Sequence, residues 1–143
     1  MPVPREALIA LDRTSSPAHI GKLRNAVDFL VPKNTPVLAA ADGVVTAVMN
    51  DSRAGGPGVL YWLGSNFIVI QHAQGEYSRY DHLAYRSAKV RVGQKVRAGQ
   101  PIALTGMTGF SYIPHLHFHV FIFNNDNIWT DFDSLAVDGF AAS

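Results

Sequence analysis

Apolar and polar positions along this chain alternate in short runs and do not recur at helical spacing. Val44–Met49 follows the turn Ala41-Asp42-Gly43, and Phe67–His72 and Tyr77–Leu83 flank Ala73-Gln74-Gly75-Glu76, which has the composition of a hairpin loop. Lys89–Val92, Lys95–Val96, Ile102–Thr105 and Leu116–Phe123 complete the set of expected strands. Gly43, Gly58, Gly75, Gly93, Gly99, Gly106 and Gly109 punctuate these runs, where turns call for positive φ. No helical period extends beyond about two turns, and Ser134–Val137 is the candidate for a short terminal helix. The pattern predicts a mainly β fold: a compact two-sheet sandwich or barrel of short antiparallel strands with little helix.

Two stretches depart from that rhythm. Val90–Ile102 carries a valine followed by Gly-Gln twice over, which predicts two tight turns wrapping short strands. Biotinyl and lipoyl carrier domains use a similar segment, but Lys22, Lys33, Lys89 and Lys95 lack the hairpin-tip setting of a modified lysine, so the segment reads as scaffold. Asp51–Gly64 is Gly/Pro-rich and then aromatic, and reads as an exposed loop walling a binding cleft or as a loop packed on the core. Tyr61 and Trp62 are its candidate substrate contacts.

At 143 residues the chain has the size of one domain, expected to span 1–143 with an N-terminal extension over 1–18 and a C-terminal tail over 124–143. Its 48% hydrophobic content argues against disorder. Twelve basic residues against eleven acidic leave a net charge of +1 with no like-charge block, so no nucleic-acid partner is expected. No apolar run approaches the ~20 residues of a membrane span, and Ala7–Leu11 is too short for a signal h-region. With no cysteine in the sequence, a metal site must be built from histidine and carboxylate, as catalytic zinc sites are.

Residues 114–120 read Pro-His-Leu-His-Phe-His-Val, which sets His115, His117 and His119 on one face of a strand and Leu116, Phe118 and Val120 on the other. Such a row is costly unless something uses it, and the commonest user is a divalent metal. Strands rise about 3.3 Å per residue, so His115 and His119 lie roughly 13 Å apart along the backbone and one ion is not expected to hold all three. Asp28 is a lone acid in the apolar run Ala26-Val27-Asp28-Phe29, where an unpaired carboxylate is costly; it is either a metal ligand or a cap on a local turn. His82, in Tyr80-Asp81-His82-Leu83, projects beside the histidine row if it shares a face with Tyr80. It then becomes a candidate for proton transfer or oxyanion binding.

These residues carry a resemblance to a family. Asp28-Phe29, Pro32, Thr35-Pro36-Val37, Ala39-Ala40, Asp42-Gly43 and Val45, then Ile70-x-His72 and Tyr80-x-His82-Leu83, resemble the lysostaphin/LytM-type zinc metallopeptidases. Gly93-Gln94-x-Val96, Gly99-Gln100-x-Ile102, Thr105-Gly106-x-Thr108-Gly109 and Pro114-His115-Leu116-His117-Phe118 continue the match, which runs from about His19 to Val120. The resemblance implies two stacked sheets with a cleft floored by strands. It also implies one zinc ion held by Asp28, by His117 and by a third histidine. Many members have that histidine four residues before the Asp, where this chain has Arg24; a subset has His-x-Gly about nine residues upstream, which His19-Ile20-Gly21 fits. His82 and His115 become the pair that activates water and stabilises the tetrahedral intermediate, with the roles of the two interchangeable at this level. His119 stands where the family often has Glu and is expected to be a neighbour of the site; His72 is expected to be structural. Tyr112 joins Tyr61 and Trp62 as a candidate cleft residue.

The function implied is hydrolysis of peptide bonds in bacterial peptidoglycan cross-links or stem peptides, outside the cytoplasm, by a monomer. The alternative is a non-catalytic relative acting as a cell-wall-binding or regulatory module.

Overall fold

A computed structural model describes residues 1–12, 26–51, 55–56, 65–106, 109–110, 114–123 and 132–135. Twelve strands are described: β1 (Ala10–Asp12), β2 (Val27–Leu30), β3 (Pro36–Leu38), β4 (Gly43–Met49), β5 (Gly55–Gly56), β6 (Phe67–Gln71), β7 (Tyr77–Asp81), β8 (Lys95–Val96), β9 (Pro101–Leu104), β10 (Gly109–Phe110), β11 (His115–Phe123) and β12 (Phe132–Leu135). Helix among the described residues is confined to two single 3₁₀ turns, Arg5–Ala7 and Ala73–Gly75.

One large sheet runs β1-β2-β11-β7-β6-β4-β8, with β12 added to the distal half of β11. All its pairings are antiparallel. β3 and β9 form a separate antiparallel ladder, and β5 pairs with β10 in parallel. The expected β architecture is therefore observed. β11 is the spine: β2 lies beside His115–Phe118, β12 beside Val120–Phe123, and β7 along its other edge. Residues 1–12 join this framework, with Val3 buried in the core and β1 paired to β2.

Strand alternation decides what faces inward. Val27 and Phe29 of β2, Ile68 and Ile70 of β6, Ser78 and Tyr80 of β7, and Leu116, Phe118 and Val120 of β11 all turn to one side of the large sheet and are buried. There the apolar members join Val37 of β3 and Ile102 and Ala103 of β9 in a single cluster. Phe118 lies at its centre, with its ring 5.2 Å from Tyr80 and edge-on to Phe29 at 6.0 Å. The Tyr80 hydroxyl accepts the backbone N–H of Ala40 at 2.9 Å, which fastens the segment after β3 to the large sheet. Burial is the main cause of its raised pKa, about 12, so it stays a protonated donor.

The repeated Gly-Gln segment folds as two copies of one turn. Gln94 N–H donates to the Arg91 carbonyl and Gln100 N–H to that of Arg97, while each glutamine side chain accepts the N–H at the head of its own turn. Gly93 and Gly99 have φ of 90° and 81°, the positive values these turns require.

Four expectations need correction. Lys89–Val92 is not a strand, because the first of these turns begins at Arg91 and removes the residues a ladder would need. Residues 132–135 are strand where a helix over Ser134–Val137 was expected: the free edge of β11 supplies hydrogen-bond partners that a two-turn helix could not match. Gly43 lies inside β4 and serves close approach, since a Cβ there would come within 2.3 Å of the Gln71 carbonyl oxygen. Within the expected Asp51–Gly64 loop, Gly55–Gly56 is paired as β5.

Candidate metal centre and histidine face

The second face of the large sheet carries the titratable residues. His115, His117 and His119 alternate along β11 with the core residues, as the sequence pattern requires, yet all three are more than 90% buried, so this is not a half-solvated strand. Antiparallel register sets His117 opposite Asp28 on β2 and opposite Asp81 on β7, so a carboxylate flanks it on each neighbouring strand. His117 Nδ1 lies 3.0 Å from Asp28 Oδ1, and His115 Nε2 lies 3.6 Å from the same oxygen. Asp28 sits mid-strand between Val27 and Phe29, so it is not a turn cap.

His82 joins this face by an unexpected route. Tyr80 points into the core, and regular alternation would send His82 after it. Instead β7 ends at Asp81 and His82 adopts φ of 65°, which turns its ring back across the sheet. The ring meets His115 edge-on at 4.8 Å and His117 at 5.7 Å. The two residues do not share a face; the left-handed backbone is what brings His82 to the site.

Nitrogen atoms of His82, His115 and His117 lie mutually within 4.8 Å. A second group of that kind is Asp81, His117 and His119, so the row divides at His117. Two ligands of a tetrahedral zinc, each about 2.0–2.1 Å from the ion, stand roughly 3.3 Å apart. The 3.0 Å between His117 Nδ1 and Asp28 Oδ1 fits that requirement with little adjustment, and a buried carboxylate beside imidazole nitrogens is a donor set zinc accepts. His19, the expected third ligand, and the cleft candidates Tyr61, Trp62 and Tyr112 lie outside the described residues.

Asp81, Arg79 and Ser65 were not singled out in the sequence. Arg79 Nε and Nη2 donate to the two Asp81 oxygens at 2.8 and 3.0 Å, and Ser65 Oγ lies 3.0 Å from Asp81 Oδ1. Burial alone would raise the Asp81 carboxyl, but the Arg79 charge, with His117 and His82 beyond it, holds it well below the usual carboxylate range. Burial likewise opposes the charge on Arg79, and Asp81 outweighs it, so the guanidinium pKa is raised. Opposite charges two positions apart on a predicted strand, Arg79 and Asp81 on either side of Tyr80, were the available signal.

His72 belongs to a separate network on the core side. Its Nδ1 lies 2.7 Å from the Asp42 carbonyl, which only accepts, so Nδ1 carries the proton and Nε2 accepts from Ser78 Oγ at 2.7 Å. Ser78 in turn lies 2.8 Å from the Tyr80 hydroxyl, which donates to it. Burial is the main cause that pulls the His72 pKa below its ordinary 6.5.

With this geometry in hand, the chain can be set beside known proteins. A family model described as Peptidase family M23 matches residues 22–128. The chain is 40% identical over 98 residues to the peptidoglycan DD-endopeptidase ShyA of Vibrio cholerae, which covers 68% of this chain and 20% of that protein. Among solved structures it is similar to a zinc-containing peptidase from Vibrio cholerae, with a TM-score of 0.61, 32% identity and coverage of 83% of this chain and 35% of the other. It is also similar to the catalytic domain of the antimicrobial peptidase lysostaphin from Staphylococcus simulans, with a TM-score of 0.54 and 34% identity over 67% of this chain and 65% of that one. The chain thus spans about a fifth of the length of the curated relative it matches.

Proposed function

The chain belongs to peptidase family M23, and from that premise we propose that it is a zinc-dependent endopeptidase acting on peptide bonds in the cross-links or stem peptides of bacterial peptidoglycan. The observation that carries this reading is the approach of His117 Nδ1 to Asp28 Oδ1 beneath the edge-on rings of His82 and His115. One zinc ion would be held by Asp28, His117 and His19. When bound, the ion supplies Lewis acidity, which polarises a peptide carbonyl and makes water acidic enough to attack near neutral pH.

The remaining chemistry belongs to the chain. His115, within 3.6 Å of Asp28, is placed to accept the proton of the attacking water, and Asp28 favours the imidazolium that results. His82 faces His115 across 4.8 Å and stabilises the developing oxyanion by donating its ring N–H, while the proton taken up by His115 passes to the leaving amine. Burial of this face keeps the local dielectric low and strengthens each of these interactions. Tyr61, Trp62 and Tyr112 are the proposed cleft residues.

The relative described as a peptidoglycan DD-endopeptidase supports the substrate class. Action outside the cytoplasm follows from that substrate. No described helix is long and apolar enough to cross a membrane. A monomer suffices, since every proposed group comes from one chain.

The test is digestion of purified peptidoglycan by zinc-loaded protein, with fragment masses identifying the bond cleaved. The expected result is one zinc per chain and peptide-bond cleavage, both lost in His117→Ala. Protein that binds no zinc and releases no fragments would instead be the non-catalytic, wall-binding relative.

A further inference from the structure

We propose that Ser65 is a positioning residue that holds His82 in its left-handed conformation, and that Asp81 and Arg79 orient the Ser65 hydroxyl for that task. As a statement about His82 in catalysis, this rests on the function proposed above.

A histidine at φ of 65° sits in the left-handed region that residues with a Cβ mostly avoid. It persists only where neighbours fix the backbone on both sides, and here they do. His82 N–H donates to Ser65 Oγ at 3.0 Å, and the His82 carbonyl accepts the N–H of Gly106 at 2.8 Å. The next residue is clamped as well: Leu83 N–H donates to the Asn66 carbonyl at 3.1 Å, and Asn66 Nδ2 donates to the Leu83 carbonyl at 3.2 Å. Position 106 must lack a Cβ for this, because one would stand 2.7–2.8 Å from the Ala84 backbone.

Ser65 is the polar link between this clamp and the charged pair. A hydroxyl has a single proton to donate. Asp81 Oδ1 at 3.0 Å is the ionised and nearer acceptor, against 3.3 Å to the Asn66 carbonyl, so the proton goes to Asp81 and the lone pairs turn toward His82 N–H. Arg79, bound to both oxygens of Asp81, holds the carboxylate in the orientation that receives that proton. Ser65 is itself only 6% exposed, so water cannot readily replace its oxygen. The same contacts argue against a second metal on Asp81, His117 and His119. Both Asp81 oxygens already serve Arg79 or Ser65, and a guanidinium repels a divalent ion.

The experiment compares wild type with Ser65→Ala and Ser65→Thr. It uses three readings: zinc affinity and stoichiometry by competition with a chromophoric chelator, the His82–His115 ring contact by proton NMR, and steady-state cleavage of a peptidoglycan fragment. In Ser65→Ala the ring contact is expected to weaken or vanish. kcat should fall roughly 10- to 100-fold with KM changed less than about twofold, and zinc affinity should stay within about threefold. Ser65→Thr, which keeps the oxygen, is expected to restore the ring contact and most of kcat. If Ser65→Ala does not fold, Asp81→Asn is read in the same way, with the same loss of ring contact expected.

An unchanged ring contact in these variants overturns the proposal. So does a zinc affinity that falls in step with kcat, or a stoichiometry of two zinc ions in the wild type. A wild type that binds zinc but cleaves nothing refutes the proposed function alone, and the ring contact still decides the role of Ser65.

Discussion

Tyr80 and His82 lie two residues apart and face opposite sides of the same sheet. Tyr80 is wholly buried against Phe118 in the core, while His82 lies edge-on to His115 on the other face. The reversal is made by one left-handed residue just past the end of β7. The backbone conformation and the histidine side chain at position 82 therefore do separate jobs and can be separated by substitution.

Asn tolerates the left-handed region and a β-branched residue does not. His82→Asn is expected to keep stability within about 1 kcal/mol of wild type, whereas His82→Val should lose about 2 kcal/mol or more. Both should lose cleavage by at least about 100-fold. Urea unfolding beside fragment-release assays distinguishes the two effects. Equal stability of the two variants would count against the backbone argument.

Zinc binding should be visible as stability. A ligand that binds only the folded state, at 100 times its dissociation constant, adds about 2.7 kcal/mol. Wild-type protein stripped with a chelator should show a Tm that rises on adding zinc. Asp28→Ala, lacking the carboxylate 3.0 Å from His117 Nδ1, should need more than about 100-fold higher zinc for the same rise. Calorimetric scans across a zinc series provide the measurement.

The His72 network predicts a pH dependence. Burial holds the folded-state pKa of His72 below 6.5, so the folded state binds fewer protons than the unfolded state as pH drops beneath that value. Its neutral form, donating to Asp42 and accepting from Ser78, suits the fold at pH 7. Stability should be at its full value above about pH 6.5 and decline below it, until the lowered folded pKa is passed. In His72→Gln that part of the decline should vanish. Denaturant midpoints between pH 5 and 8 for both proteins supply the comparison, and parallel curves would refute the assignment.

Gly43 offers a purely steric test. A Cβ at this position would approach the Gln71 carbonyl oxygen to 2.3 Å and His72 Nδ1 to 2.9 Å. Because the first contact is backbone in a paired strand, no rotamer change can relieve it. Gly43→Ala should destabilise by about 2 kcal/mol or more, measured by chemical unfolding. Gly75→Ala is the informative contrast, since nothing lies within 4 Å of its Cβ position and its cost should come from φ of 70° alone.

Much of the framework is legible from local pattern. Alternation over 115–120 announces a strand with two unlike faces, and the paired Gly-Gln turns appear where the spacing puts them. Asp28 stands out because an acid among Ala26, Val27 and Phe29 demands a partner, and its partner is indeed a histidine. Residues whose importance depends on a distant strand were harder to see. Ser65 is an ordinary loop serine until β6 and β7 bring it beside Asp81 and the His82 N–H. Arg79 and Asp81 carry no mark of a site in the sequence; the burial of Asp81 and its pairing with Arg79 appear only in the fold. Gly43 looks like a turn residue until Gln71 is found against it.

Sequence alone determined the strand periodicity, the composition of the turns and the inventory of metal-capable side chains, because each depends on neighbours within a few residues. Tertiary structure decided which of those side chains meet. Register across β2, β11 and β7 sets Asp28 and Asp81 on either side of His117. The left-handed turn at His82, held by residues 17 positions before it and 24 after it, carries a fourth histidine to a face that strand alternation denies it. Pairing between strands and the clamping of a strained backbone are long-range effects, so no window along the chain contains them.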